Sequence, residues 1–255
     1  MMTDIDVAQM HTWPLTTWCT DDYRRLLTEL LQHDYAFVSF ANVAPAERHI
    51  VLRHDVDFDP LAAITMAAVE AEIGIASTYF FMARSDCYNA FQARNADAIA
   101  QVSALGHRIG LHLDAALYTG VDNLEQGART EIAMIELCSN VHIEAVSFHR
   151  PAQELFGSAG FPRLDLPHTY EARFVHGMGY CADSAGEWRY GHPLDHPALA
   201  AGTALQLLTH PIWWALSIAA GPYDALMAFQ ARHAAEVDDD LARNCRTYAA
   251  AKAAL

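Results

Sequence analysis

The chain has 255 residues, 53% of them hydrophobic, and a formal net charge of −15 from 31 acids against 16 bases, of which only Lys252 is a lysine. That length suits one large core, so a single domain over 1–255 is expected. So acidic a surface repels phosphate backbones and anionic lipid, which excludes a nucleic-acid partner and membrane insertion from the expectation.

From the N-terminus, Met1 to Thr20 has no basic stretch ahead of an apolar core, and no window approaches about 18 uninterrupted apolar residues. The five cysteines, Cys19, Cys87, Cys138, Cys181 and Cys245, are odd in number and form no Cys-x-x-Cys. They read as reduced thiols, and a cytoplasmic location is expected. Cys19-Thr20-Asp21-Asp22 predicts a capped entry to a helix with Leu26, Leu27, Leu30 and Leu31 on one stripe. Tyr35 to Phe40 reads as a strand and Ala44-Pro45-Ala46 as a turn.

The stretch Val51 to Pro60 starts apolar and ends in three acids, the pattern of a buried strand whose tip opens into a polar site. Alternation sends Asp55 and Asp57 to one face and His54 and Val56 to the other. Two carboxylates buried this close need a cation or a shared proton, so the pair points to chemistry, whereas Asp59 reads as the cap of a helix opened by Pro60. That helix runs from Leu61 to Gly74 with Ile64, Ala68 and Ala71 inward and Gly74 as its stop. Next come a strand Ser77 to Met82, a helix Phe91 to Leu105, a strand Arg108 to Asp114, a helix Asn123 to Cys138 and a strand Ile143 to Phe148 that delivers His149-Arg150-Pro151.

This alternation is that of βαβ units and predicts an α/β fold with a parallel sheet. After Pro151 a long irregular segment rich in Gly, Pro, aromatic and charged residues reads as functional loop. A strand Gly179 to Asp183, an apolar strand Ala204 to Leu208 ending at Thr209-His210-Pro211, and one long amphipathic helix from Tyr223 to about Ala251 complete the chain.

Polar residues collect at the carboxyl ends of five predicted strands: Asp55 and Asp57, His112 and Asp114, His149 and Arg150, Asp183, and His210. In parallel α/β folds that end carries the active site. Other histidines, among them His107, His142, His168, His176, His192 and His196, read as structural.

These residues, as His54-Asp55-Val56-Asp57, Gly106-His107-Arg108-Ile109-Gly110-Leu111-His112, Phe148-His149-Arg150-Pro151, Asp183 to Trp188 and Leu208-Thr209-His210, resemble in order and spacing the motif series of the polysaccharide deacetylase superfamily, carbohydrate esterase family 4. The likeness spans about 49–211 and leaves flanking helices outside it. The resemblance implies a distorted (β/α) barrel of about seven parallel strands and a hydrolase that removes acetyl or formyl groups from an amino sugar or glycoconjugate with a divalent metal, Zn2+ in the first instance.

It implies Asp55 as catalytic base, Asp57 and His112 as metal ligands, Arg150 as the arginine holding the base, and His210 as general acid. Asp183, Trp188 and the adjacent Arg189 are expected on the substrate side, with Asp114. Two departures stand out: the acids are spaced Asp-x-Asp, and the second histidine of the family's His-x-x-x-His falls on Ala116. His149 is the first candidate to replace that ligand and Asp114 the second. Trp188, Trp213 and Trp214 are candidate platforms for a sugar ring.

Two other classes remain open. One is a non-catalytic carbohydrate-binding protein on a degenerate deacetylase scaffold, suggested by Ala116. The other is a glycosyltransferase or phosphatase holding Mg2+ or Mn2+ at Asp55-Val56-Asp57, against which stand the missing phosphate-cradling loop and the near absence of lysine.

Overall fold

The computed structural model describes residues 18–161, 163–217 and 221–254. The stretch 1–17, where the N-terminal reading above mostly falls, lies outside them. In chain order the elements are α1 (Thr20–Gln32), β1 (Ala36–Phe37), β2 (His49–Val56), α2 (Pro60–Glu72), β3 (Thr78–Phe81), α3 (Ala93–Ala104), β4 (Arg108–Asp114), α4 (Val121–Ser139), β5 (Ile143–His149), α5 (Ala172–Val175), β6 (Gly179–Ala182), α6 (Pro197–Ala201), β7 (Leu205–Thr209), α7 (Pro211–Trp214), α8 (Pro222–Asn244) and α9 (Arg246–Lys252). No helix among the described residues is long and apolar enough to cross a membrane.

All seven strands pair in parallel, in the order β5-β4-β3-β2-β7-β6, with β1 on the start of β2. The sheet is rolled up. Ser147 on β5 and Asp55 on β2 are three strands apart, roughly 14 Å in a flat sheet at about 4.8 Å per strand. Yet the Ser147 hydroxyl reaches the Asp55 carboxylate at 3.3 Å.

The gap between β5 and β6 is covered by the irregular segment, which pairs with β5 through Val146 and His168. Thr169 N–H donates to Val146 O, and Val146 N–H donates to Pro167 O. The loop read from composition is thus an extended strap that closes the barrel.

Rolling creates two apolar compartments. Between sheet and helices lies the main core, which takes Ile50, Leu52 and Val56 from β2, Leu205 and Leu207 from β7, and the Tyr23, Leu26, Leu27 and Leu30 face of α1. Leu31 falls off that stripe and is exposed. Inside the barrel lies a smaller cluster of Phe40, Val51, Phe80, Ala145 and Phe174. Gly110 is required there, because a Cβ on it would sit 2.3 Å from the Phe80 ring.

The helix α2 begins as expected, with Asp59 Oδ1 accepting from Leu61 N–H and Pro60 at its first position. It ends before Gly74, whose φ of +76° only glycine adopts freely. Its buried stripe is Ala62, Ala63, Met66, Ala67 and Glu70, and Ile64 and Ala68 are only partly buried. A run so rich in alanine carries little amphipathic contrast, so its inward face could not be set from apolar spacing alone. The predicted C-terminal helix is two helices, broken at Cys245, whose extended backbone (φ −129°, ψ 102°) interrupts the ladder without a Pro or Gly to announce it.

Candidate metal and hydrolytic site

The odd-numbered side chains of β2 face the barrel interior, and Arg53, Asp55 and Asp57 rise along it toward the mouth. Arg53 is 1% exposed, and its Nη2 donates to Asp55 Oδ2 at 2.7 Å while Nη1 donates to Gln206 on β7 at 3.1 Å. Its guanidinium lies 5.8 Å from the Phe80 ring and 5.4 Å from the Tyr170 ring. Burial works against ionisation of Asp55, but Arg53, with His112 and His210 beyond it, outweighs burial and holds the carboxyl below its usual range.

Asp57 lies one strand step further out. Its Oδ1 is 3.1 Å from His112 Nε2 and 3.5 Å from His149 Nδ1, and its Oδ2 is 3.7 Å from His210 Nε2. Burial again opposes ionisation, and the surrounding imidazoles reverse it, placing this carboxyl far below the ordinary range.

Whether this trio suits a divalent cation can be judged from its donor atoms. One carboxylate oxygen and two imidazole nitrogens, from Asp57, His112 and His149, all lie within 4.8 Å of one another. Asp57 Oδ1 is buried and accepts no hydrogen bond among the described residues, so neither ring nitrogen is aligned to donate to it. Three donor atoms converging on one point without bonding one another is the arrangement an ion would complete, and the set suits zinc or another first-row metal.

The groups that hold these ligands support the same reading. His112 Nδ1 is 2.5 Å from Ser147 Oγ, and that hydroxyl donates onward to Asp55. The serine therefore accepts from Nδ1–H, which leaves the Nε2 lone pair of His112 directed at the trio. His149 occupies the place expected of it: β5 runs on to His149, and Arg150, at φ +52°, breaks the strand just past it.

His210 closes the other side of the mouth. Its Nδ1 is 2.6 Å from Asp183 Oδ1, while its own backbone N–H and Trp214 Nε1–H both donate to Asp183 Oδ2, at 3.0 and 2.8 Å. Burial favours the neutral ring, but Asp183 overrides it and raises His210 to about 9, so the ring is charged at neutral pH.

Several expected roles are relocated by this geometry. Arg150 does not hold Asp55: its side chain is 58% exposed and is paired with Asp114 through both Nε and Nη2. The arginine paired with Asp55 is Arg53, which the sequence reading overlooked although it shares the inner face at i−2. Asp114 is likewise spent on Arg150 and on the N–H of Ala116, and stands outside the trio. Asp183 is fully buried, so it cannot meet a substrate; it positions His210.

Trp188 packs among Trp18, Trp214 and His192 at ring distances of 5.6–5.9 Å. Trp213 and Trp214 are buried, so neither offers an open face to a sugar, whereas Trp188 is half-buried. Arg189 does reach a cavity that borders Arg53. Ser147 was also overlooked, and no sequence signal marks it.

No protein-family model and no curated protein matches the chain. Among solved structures, the chain is similar to a family 4 carbohydrate esterase from Bacillus anthracis at 16% identity, over 71% of this chain and 76% of that one, with a TM-score of 0.39. A Bdellovibrio bacteriovorus peptidoglycan deacetylase matches at 15% identity over 78% and 54%, with a TM-score of 0.42. A family 4 pseudoenzyme from Bacillus anthracis matches at 12% over 74% and 61%, with a TM-score of 0.41. Likeness at this level says nothing of activity, which has to come from the residues at the barrel mouth.

Proposed function

We infer that the protein is a metal-assisted hydrolase that removes an N-acyl group, acetyl or formyl, from an amino sugar or glycoconjugate. The observation that carries this reading is the convergence of Asp57, His112 and His149 between a carboxylate held ionised, Asp55, and an imidazole held protonated, His210. A pair of titratable groups driven in opposite directions on either side of one small site is the pattern of acid and base assignments.

A divalent cation held by Asp57, His112 and His149 would polarise the acyl carbonyl and make bound water acidic. Asp55 takes the proton from the attacking water, and Arg53 fixes which oxygen of that carboxylate faces the site. His210 holds its proton on Nε2, the nitrogen turned away from Asp183, and delivers it to the departing amine. Asp183 keeps the ring oriented and stabilises its charge, as a buried carboxylate does behind a catalytic histidine.

The test is metal analysis of the purified protein together with acetate and formate release from N-acetyl and N-formyl amino sugars, run beside Asp55→Asn. Metal bound near one equivalent in both proteins, with release only in the unsubstituted one, is the expected result. Release that survives Asp55→Asn would remove the base from the scheme, and a protein that binds no zinc, manganese, cobalt or nickel would remove the metal.

A further inference from the structure

The helix α8 divides its residues between two faces. Ala225, Phe229, Arg232 and Glu236, at steps of four, three and four, turn toward the body of the protein. Ala225 is buried, Phe229 packs on Phe58 at 6.3 Å, Arg232 pairs with Asp59 at 2.6 Å and Glu236 pairs with Arg94. Two residues turn a helix by about 200°, so Tyr223, Met227, Gln230, Ala234, Val237 and Leu241 line the opposite face. All six are exposed, Tyr223 by 73% and Met227, Val237 and Leu241 by 45–48%. Large apolar side chains left in one row in water mark a surface that another molecule covers.

The spacing of the row says what kind of molecule. Steps of four, three, four, three and four are the a and d positions of a heptad pattern, carried on one 23-residue helix. The row is also symmetric about position 232: turned end for end, it sets Tyr223 opposite Leu241, Met227 opposite Val237 and Gln230 opposite Ala234. A surface that meets itself in this way suits the isologous contact of a twofold dimer. Charge selects the direction. In a parallel pair the acids Asp238, Asp239 and Asp240 of two copies would lie together, at a cost from like charges. Antiparallel packing carries them to opposite ends, each beside the positive N-terminal end of the other helix. The acid already there, Asp224, is occupied in accepting from Gly221 N–H of its own helix.

We propose that the outward face of α8 is a dimer interface between two copies of this chain, packed antiparallel with Met227 of each copy against Val237 of the other. Positions 223–241 span about 27 Å at 1.5 Å per residue, and a strip of that length and one helix wide buries on the order of 500 Å² from each copy. The total, about 1,000 Å², meets the threshold of a specific interface and falls below that of an obligate one, so the dimer is a reversible one with a Kd on the order of micromolar. The acidic flank sets the face against anionic lipid. The proposal is independent of the hydrolase reading, since α8 carries none of the groups at the barrel mouth.

Sedimentation equilibrium of the full chain from about 1 to about 300 μM, which brackets that affinity, should show monomer passing reversibly to dimer. Met227→Glu and Val237→Lys should each raise the Kd by about tenfold or more, the scale of a like charge or a buried charge at an interface. Both should melt with the parent in dilute solution, because these side chains already face water in the monomer. Mixed together, the two variants should dimerise again: in the antiparallel register one contact gains opposite charges and the other keeps Met227 against Val237. Leu137→Glu, at an 83% exposed position on α4, should leave the equilibrium unchanged.

A parent that stays monomeric throughout, or a dimer that Met227→Glu leaves intact, would overturn the proposal. So would a melting temperature well below the parent's in both variants, which would show that the face is packed within the monomer. Failure of the mixture to dimerise would overturn the antiparallel pairing. A monomeric parent that binds neutral phosphatidylcholine vesicles would give the face to lipid instead of a second copy.

Discussion

Arg53 and Asp55, two residues apart on the inner face of β2, form a buried ion pair at 2.7 Å, and Asp55 is the proposed base. Because both partners are almost wholly out of water, removing one leaves the other uncompensated, a loss of about 3–5 kcal/mol where it has been measured in buried pairs. Arg53→Gln should therefore lower both the melting temperature and the rate of acyl release, the latter by about 10²-fold or more if the base loses its orientation. Arg150→Ala breaks a largely exposed contact and should cost less than about 1 kcal/mol. Comparable kinetic damage from the two variants would show that the assignment of the arginine is wrong.

Ser147 sets the direction of the His112 ring and is not itself one of the three proposed metal ligands. Ser147→Ala should weaken metal affinity by about 10–100-fold, the usual scale for a partner of a ligating histidine. Competition with a chromogenic chelator reads this directly. An affinity equal to that of the parent protein would mean that packing alone holds the ring.

Asp183 lies behind His210 as the buried partner of Nδ1. Asp183→Asn keeps the shape and one acceptor but loses the charge that holds the ring protonated. The expected loss in kcat is on the order of 10²–10⁴, the contribution of a placed general acid, with metal content unchanged because Asp183 is not a ligand. Metal lost in this variant would instead make Asp183 a structural prop of the trio.

The back of the same strands carries a second polar cluster. Glu70 on α2, fully buried, accepts from Tyr23 at 2.5 Å, Tyr79 at 2.8 Å and Ser77 at 2.5 Å, and lies 2.9 Å from His54 Nε2 and 3.4 Å from His107 Nδ1. Burial opposes its charge, but His54 and the other donors hold the Glu70 carboxyl below its ordinary value of 4.5. A depressed carboxyl contributes stability above its unfolded value and loses it as pH falls through the folded one.

Burial also lowers His107 from 6.5, so the unfolded chain takes up that proton first and stability falls with pH below about 6.5. Urea midpoints should thus drop from pH 7 to pH 4. In Glu70→Gln the stability should already be lower at pH 7 and should lose its Glu70-dependent part of the acid slope. An unchanged slope in that variant would assign the acid sensitivity to other groups.

The strand tips were legible because the chemistry there is written in residue type: acids and histidines ending apolar runs have few other uses. His149 could be placed because β5 had a clear apolar register and Pro151 fixed its end. Arg53 was passed over because the motif likeness pointed to Arg150, although the period of two that paired Asp55 with Asp57 reaches Arg53 equally well. Glu70, Ser147 and the pairing of Asp183 with His210 depend on the curvature of the sheet and on which turn of α2 faces it, neither of which local spacing encodes. The break at Cys245 had no Pro or Gly to mark it.

The alternation along β2 has a consequence for tolerance to mutation. Ile50, Leu52, His54 and Val56 face the helices, while Val51, Arg53, Asp55 and Asp57 face the barrel, so neighbouring residues answer to different selections. A saturation library over 50–57, scored separately for abundance and for turnover, should show two combs offset by one residue: the even positions, with buried Val51, deplete folded protein, and Asp57 depletes activity from protein that still accumulates. Arg53 and Asp55, joined by a buried ion pair, should register on both. The strand could then be re-engineered for new chemistry on one comb while the other is left untouched.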